Sequence, residues 1–147
     1  MSIGKDAYAL TWLVRRLFRA MGEAADSYLG DIGLTAADRA VMEFLYPDAA
    51  LTVPRIARRY QVSRQHVQVT ANRLADQGLV TSAANPRHKR SPLLQLTQSG
   101  REAFADIRRR EGTLLDEIFR SLDPADIATT RQILESLLNH FQETRLD

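Results

Sequence analysis

Residues 52–90 read TVPRIARRYQVSRQHVQVTANRLADQGLVTSAANPRHKR. Thr52 can cap a helix through its hydroxyl, and Pro54 suits the first turn, where a missing N–H costs little. Ile56, Ala57 and Tyr60 give that short helix a packing face. Gln61-Val62-Ser63 then makes a three-residue turn ending in a second cap. The helix that Ser63 opens runs to about Gln77 and stops at Gly78, a residue suited to the position just past a helix end. Leu79–Ala83 and Leu93–Thr97 read as short strands joined by the loop Asn85–Pro92. The resulting order is helix, turn, helix, hairpin.

The charge follows the same boundaries. Between Val53 and Arg90 stand Arg55, Arg58, Arg59, Arg64, Arg73, Arg87, Lys89 and Arg90 against one acid, Asp76. This segment sums to +7 in a chain whose formal net charge is +2, so the remainder sums to −5. Positive charge gathered in one segment builds a local field, and its natural partner is a polyanion. Helix-turn-helix, basic hairpin and charge together point to double-stranded DNA.

Outside this stretch, the period of apolar residues gives helices. Leu10, Leu13, Val14, Leu17, Phe18 and Met21 form a stripe on one long helix over about 6–28. Thr35 with Asp38 three residues on is a capping-box variant, and opens a helix whose buried face uses Val41, Phe44 and Leu45. Tyr46-Pro47-Asp48 ends it. Thr97 caps a helix reaching about Ser121. Asp123-Pro124 opens a last one bearing Ile127, Ile133, Leu134, Leu137, Leu138 and Phe141. The expected fold is mainly α with a small two- or three-stranded β wing. Residues 30–100 form a winged helix-turn-helix within a single domain spanning 1–147, and the flanking segments 6–29 and 101–145 are dimerisation helices. Their stripes exceed what a small winged helix can cover, so a symmetric homodimer is expected.

The 147 residues, 44% of them hydrophobic and 26% charged, are ordinary for a soluble globular chain. Without cysteine there are no disulfides, no thiolate zinc site and no thiol catalysis. No apolar run is long enough for a membrane span and Met1–Asp6 has no signal-peptide core, so a cytoplasmic location is expected. His66, His88 and His140 fall on different elements. No metal spacing, phosphate loop or nucleophile motif appears, so neither an enzyme nor a cofactor is expected.

On a helical wheel, Val67, Thr70, Ala71 and Leu74 share the inner face of the Ser63-capped helix. Gln65, Val69, Asn72 and Asp76 lie opposite, flanked by Gln68 and Arg73. Gln and Asn suit adenine edges, Arg suits guanine, and Val69 suits a thymine methyl. Arg64 near the helix start reaches a base or a phosphate, and His66 meets solvent or phosphate. Arg55, with Arg58 and Arg59, suits phosphates. Arg87, Lys89 and Arg90 suit a minor groove or a phosphate clamp. The alternatives are a solvated helix face and a mobile basic hairpin without a partner. Arg108-Arg109-Arg110 lies among Glu102, Asp106, Glu111, Asp116 and Glu117 at helical spacings, which suits exposed ion pairs.

Gly33-Leu34-Thr35, Leu51–Ala57, Val62–Val67, Leu74–Val80 and Leu94–Gly100 follow in the order and spacing of the MarR family of bacterial transcriptional regulators, which this chain resembles over essentially its whole length. Asn85–Ser91 stands where that family usually has an Asp-Pro-x-Asp-Arg-Arg-Ser wing. Asn85 and His88 replace acids there, which removes a brace on the neighbouring arginine and makes the tip more positive. The resemblance implies a homodimeric repressor on a palindromic operator, released by a small aromatic or phenolic ligand. Trp12, Arg16 and Phe18 are candidate ligand-pocket residues, against the alternative of core aromatics and a snorkelling arginine. Two other functions compete. A protein-interaction adaptor needs no charge bias, and a non-specific DNA binder needs no amides on the reading helix.

Overall fold

The computed structural model describes residues Ile3 to Thr144. Met1 and Ser2, part of the N-terminus read above for a leader, lie outside the described residues, as does Arg145, the end of the expected C-terminal dimerisation segment. The described elements are α1 (Ile3–Gly30), α2 (Ala36–Leu45), β1 (Leu51–Thr52), α3 (Val53–Tyr60), α4 (Arg64–Asp76), β2 (Val80–Ala83), β3 (Leu93–Leu96), α5 (Gln98–Phe119) and α6 (Pro124–Glu143). No helix among them is long and apolar enough to cross a membrane.

Each expected cap is present. Thr35 and Asp38 form the reciprocal box: the Thr35 N–H donates to Asp38 Oδ2 at 2.9 Å, and the Asp38 N–H donates to Thr35 Oγ1 at 3.2 Å. The Thr52 hydroxyl accepts from the Arg55 N–H, Ser63 from His66 and Asp123 from Ala125. These pairings satisfy N–H groups that a helix start leaves free. Gln61 ends α3 in the left-handed region at φ 59°, and that reversal lets α4 start within three residues.

The chain divides into two compact units, residues 1–108 and 109–147. The first holds the buried core, built from α2, α3, the inner face of α4, the sheet, Phe104 and Ile107 of α5, and Ala25 and Leu29 of α1. The sheet order is β1-β3-β2 with antiparallel pairs, Leu51 facing Leu94 and Val80 facing Leu96. Period-2 alternation sends Leu94 and Leu96 inward. The two-residue strand β1 lies outside the pair of strands expected from periodicity, and makes the wing three-stranded. Met42, absent from the expected face of α2, is fully buried, whereas Phe44 is half-buried. Tyr60 is a correction: it is exposed, its ring edge-on to Phe44 at 5.9 Å.

Gly100 fixes how α5 leaves the sheet. A Cβ there would collide with the Leu79 carbonyl oxygen, which the Thr97 N–H holds at 3.0 Å. Gly100→Ala is therefore expected to cost about 1–3 kcal/mol, read by chemical denaturation, because a pinned backbone atom must move. An unchanged midpoint would show that the β3–α5 junction is loose.

The second unit consists of the rest of α5 and α6. No residue of α6 is buried, and Leu114, Leu115, Ile118, Leu134, Leu138 and Phe141 are all exposed. α1 behaves alike over its first five turns. Trp12, Leu13, Val14, Leu17, Phe18 and Met21 face outward, so the helix read from that stripe is present but its stripe is uncovered.

Candidate nucleic-acid interface

The amphipathicity of α4 sorts its side chains. Val67, Thr70, Ala71 and Leu74 are buried, with Thr70 Oγ1 satisfied by the His66 carbonyl at 2.9 Å. This leaves Arg64, Gln65, His66, Gln68, Val69, Asn72 and Arg73 exposed. Val69 is 56% exposed, an apolar residue held in solvent on a helix that already has a full inner face. Ser63 Oγ accepts the His66 N–H at 3.0 Å, so it caps the helix start while its own O–H is left able to donate.

Five of the sequence-predicted residues, Ser63, Gln65, His66, Val69 and Arg73, line one open cavity of about 460 Å³ with Thr35, Ala37 and Thr70. Two capped helix starts, those of α2 and α4, therefore border the same depression, and helix starts favour negative charge. Arg55 lies exposed in the first turn of α3, outside that lining.

Arg73 behaves differently from its neighbours. Its Nη2 lies 2.6 Å and its Nε 3.1 Å from Asp38 Oδ1, and Nη2 also donates to Thr35 Oγ1 at 3.0 Å. Asp38 is wholly buried, while the Arg73 side chain is 43% exposed. The guanidinium thus ties α4 to the capping box of α2. Reasoning on α4 alone misses this, since the partner lies 35 residues away.

Gln68 Nε2 donates to Asn72 Oδ1 at 2.9 Å, joining two exposed amides one turn apart. Arg108, expected in an ion pair, places its guanidinium 5.2 Å over the Tyr46 ring.

The wing tip carries Arg87, Lys89 and Arg90 exposed. Asn85 organises it. Its Nδ2 donates to the Ser91 carbonyl at 3.0 Å, its Oδ1 accepts from the Arg87 N–H at 3.1 Å, and its own carbonyl accepts from the His88 N–H at 3.2 Å. An amide serves both sides of the loop because it donates and accepts, whereas an ionised carboxylate only accepts. The brace expected to be missing at this position is replaced by one made to backbone, and all three basic side chains stay in solvent.

Trp12, Arg16 and Phe18 are exposed on α1, with Trp12 at 55% and Phe18 at 71%. The aromatics are therefore not core residues of the single chain, which corrects the alternative drawn from sequence.

Residues 32–91 match the model of the MarR family. An uncharacterised protein of Mycobacterium tuberculosis is 42% identical over 91 residues, covering 62% of this chain and 64% of that protein's own length. A MarR family transcriptional regulator of Silicibacter pomeroyi superposes with a TM-score of 0.84 at 20% identity, covering 97% of this chain and 95% of the other. A mutant MarR from E. coli complexed with operator DNA gives 0.75 at 22% identity, covering 94% and 99%. The segment 32–91 is a MarR-family winged helix-turn-helix, and the chain carries the fold of that family's transcription regulators.

Proposed function

We propose that this protein is a sequence-specific DNA-binding regulator, a homodimer that represses from a palindromic operator. One observation carries the reading: the outward face of α4 bears amides, a cation and an exposed valine, the groups that read base edges, while its inner face is fully buried. Arg64, Gln65, Gln68, Val69 and Asn72 meet bases in the major groove. Arg55, His66 and the α4 start that Ser63 caps meet phosphates, and Arg87, Lys89 and Arg90 enter the minor groove or clamp the backbone. Arg73 supports the reading helix through Asp38. The E. coli relative solved with operator DNA supports the same docking.

The apolar side chains exposed on α1, and separately those on α6, support a dimer formed through the terminal helices, because a soluble monomer rarely leaves so much apolar surface uncovered. Dimerisation sets two reading helices about one duplex turn apart. Trp12, Arg16 and Phe18 lie on that uncovered surface, so an effector site for an aromatic or phenolic anion there is completed only in the dimer.

The test is titration against the chain's own upstream DNA and a scrambled duplex at two salt concentrations. Preference for the native sequence with a steep salt slope is expected. Arg90→Ala should weaken binding to every duplex alike and lower the salt slope by about one unit, one phosphate contact's worth. An unchanged slope would remove the wing from the interface. No binding by the folded dimer would favour the adaptor function instead.

A further inference from the structure

Gln68 and Asn72 stand one turn apart on the exposed face of α4, joined through Gln68 Nε2 and Asn72 Oδ1 at 2.9 Å. Each amide has one oxygen acceptor and one NH2 donor. The contact uses one N–H of Gln68 Nε2 and one lone pair of Asn72 Oδ1, so the two groups it leaves wholly uncommitted are an acceptor on one residue, Gln68 Oε1, and a donor on the other, Asn72 Nδ2. Turning both amides over reverses which residue donates, but the outward pattern is still one acceptor and one donor. The hydrogen bond also removes rotamer freedom before any duplex arrives, which lowers the entropic cost of contact.

In the major groove, guanine presents two acceptors, cytosine one donor, and thymine one acceptor with a methyl group. Adenine alone presents an acceptor, N7, beside a donor, the N6 amine. We propose that Gln68 and Asn72 act as one hydrogen-bonded unit that reads a single adenine in each half-site, with Val69 placed against a thymine methyl at or beside that pair. Val69 lies three residues before Asn72 on the same outer face and is 56% exposed, the one large apolar side chain exposed on α4. The proposal rests on the DNA-binding reading and adds to it the base and the two residues that share it.

Selection from a randomised duplex library, followed by titration of the selected site, tests the pair. The native protein should select adenine at one position per half-site. Gln68→Ala and Asn72→Ala should each relax that same position, weakening the selected site by about tenfold or more. The double variant should lose little beyond either single one, because one partner alone no longer forms the unit. Replacing the selected adenine by 7-deazaadenine, which lacks only the acceptor, should weaken the native protein and leave the double variant indifferent. Gln68→Glu supplies an acceptor-only side chain, and its selected base should move from adenine towards cytosine. Both residues are exposed, so the variants should melt with the native protein.

Single variants that relax different positions, additive losses, or indifference to 7-deazaadenine would overturn the pair while leaving a sequence-specific regulator in place. A native protein that selects no sequence would overturn the pair and the specific-regulator reading together.

Discussion

The double variant Leu134→Glu, Leu138→Glu is expected to sediment as a monomer and to bind a two-half-site operator about 10²–10⁴ more weakly than the native chain. Both leucines are exposed, at 41% and 56%, and sit four residues apart on α6 in line with Phe141. That 20-residue helix buries nothing in the single chain. An isolated helix of this length gains little from its backbone alone, and helices in proteins depend on packing one face. In the proposed dimer a second copy supplies that packing, and two carboxylates in the covered surface would have to be desolvated without partners. The lost affinity comes from geometry. A dimer that has engaged one half-site presents its second reading helix at high effective concentration, and a monomer does not. On an isolated half-site the variant and the native protein should therefore bind alike. The buried core ends at Ile107, so the winged helix should stay folded in the variant. Unchanged dimer mass by analytical ultracentrifugation would place the interface elsewhere.

What the sequence disclosed about this molecule was local. Thr35, Thr52, Ser63, Thr97 and Asp123 were legible as caps because capping joins a side chain to a backbone N–H two or three residues away. The two faces of α4 were legible because its period matches the helix turn. β1 escaped because Leu51 and Thr52 are too few to show alternation, and their pairing with Leu93 and Leu94 is set by tertiary structure. The stripe of α1 was legible as a helix, but the pattern cannot say whether the chain's own core or another copy covers it. In the single chain only Ala25 and Leu29, near its C-terminal end, are buried. Asn85 looked like the loss of a brace when compared with an acidic wing. It is a brace of another kind, since an amide pins both strands of the loop through backbone groups. The Gln68–Asn72 bond fits the helical spacing i, i+4, yet spacing leaves open whether two amides face each other or the groove.

Arg73 has a partner that reading one helix does not show, and it yields the second large effect. Arg73→Ala is expected to destabilise the fold by about 3 kcal/mol, the lower end of the cost of orphaning a buried charge. Asp38 has no exposure, and after the substitution its carboxylate would keep the Thr35 N–H but lose both hydrogen bonds from the guanidinium, while Thr35 Oγ1 would lose a third. The reverse change should be milder. Asp38→Ala removes the capping acid, at about 1 kcal/mol, and leaves a guanidinium already 43% exposed that turns to water. The asymmetry distinguishes a structural arginine from a DNA contact. For the structural role, Arg73→Ala lowers the melting temperature by roughly 10 °C and weakens matched and scrambled duplexes by one common factor. Base preference survives in the folded fraction. For a guanine contact, the melting temperature holds and one base position relaxes. A native melting curve together with lost base preference would return Arg73 to the reading face and leave Asp38 to be satisfied by the capping box alone.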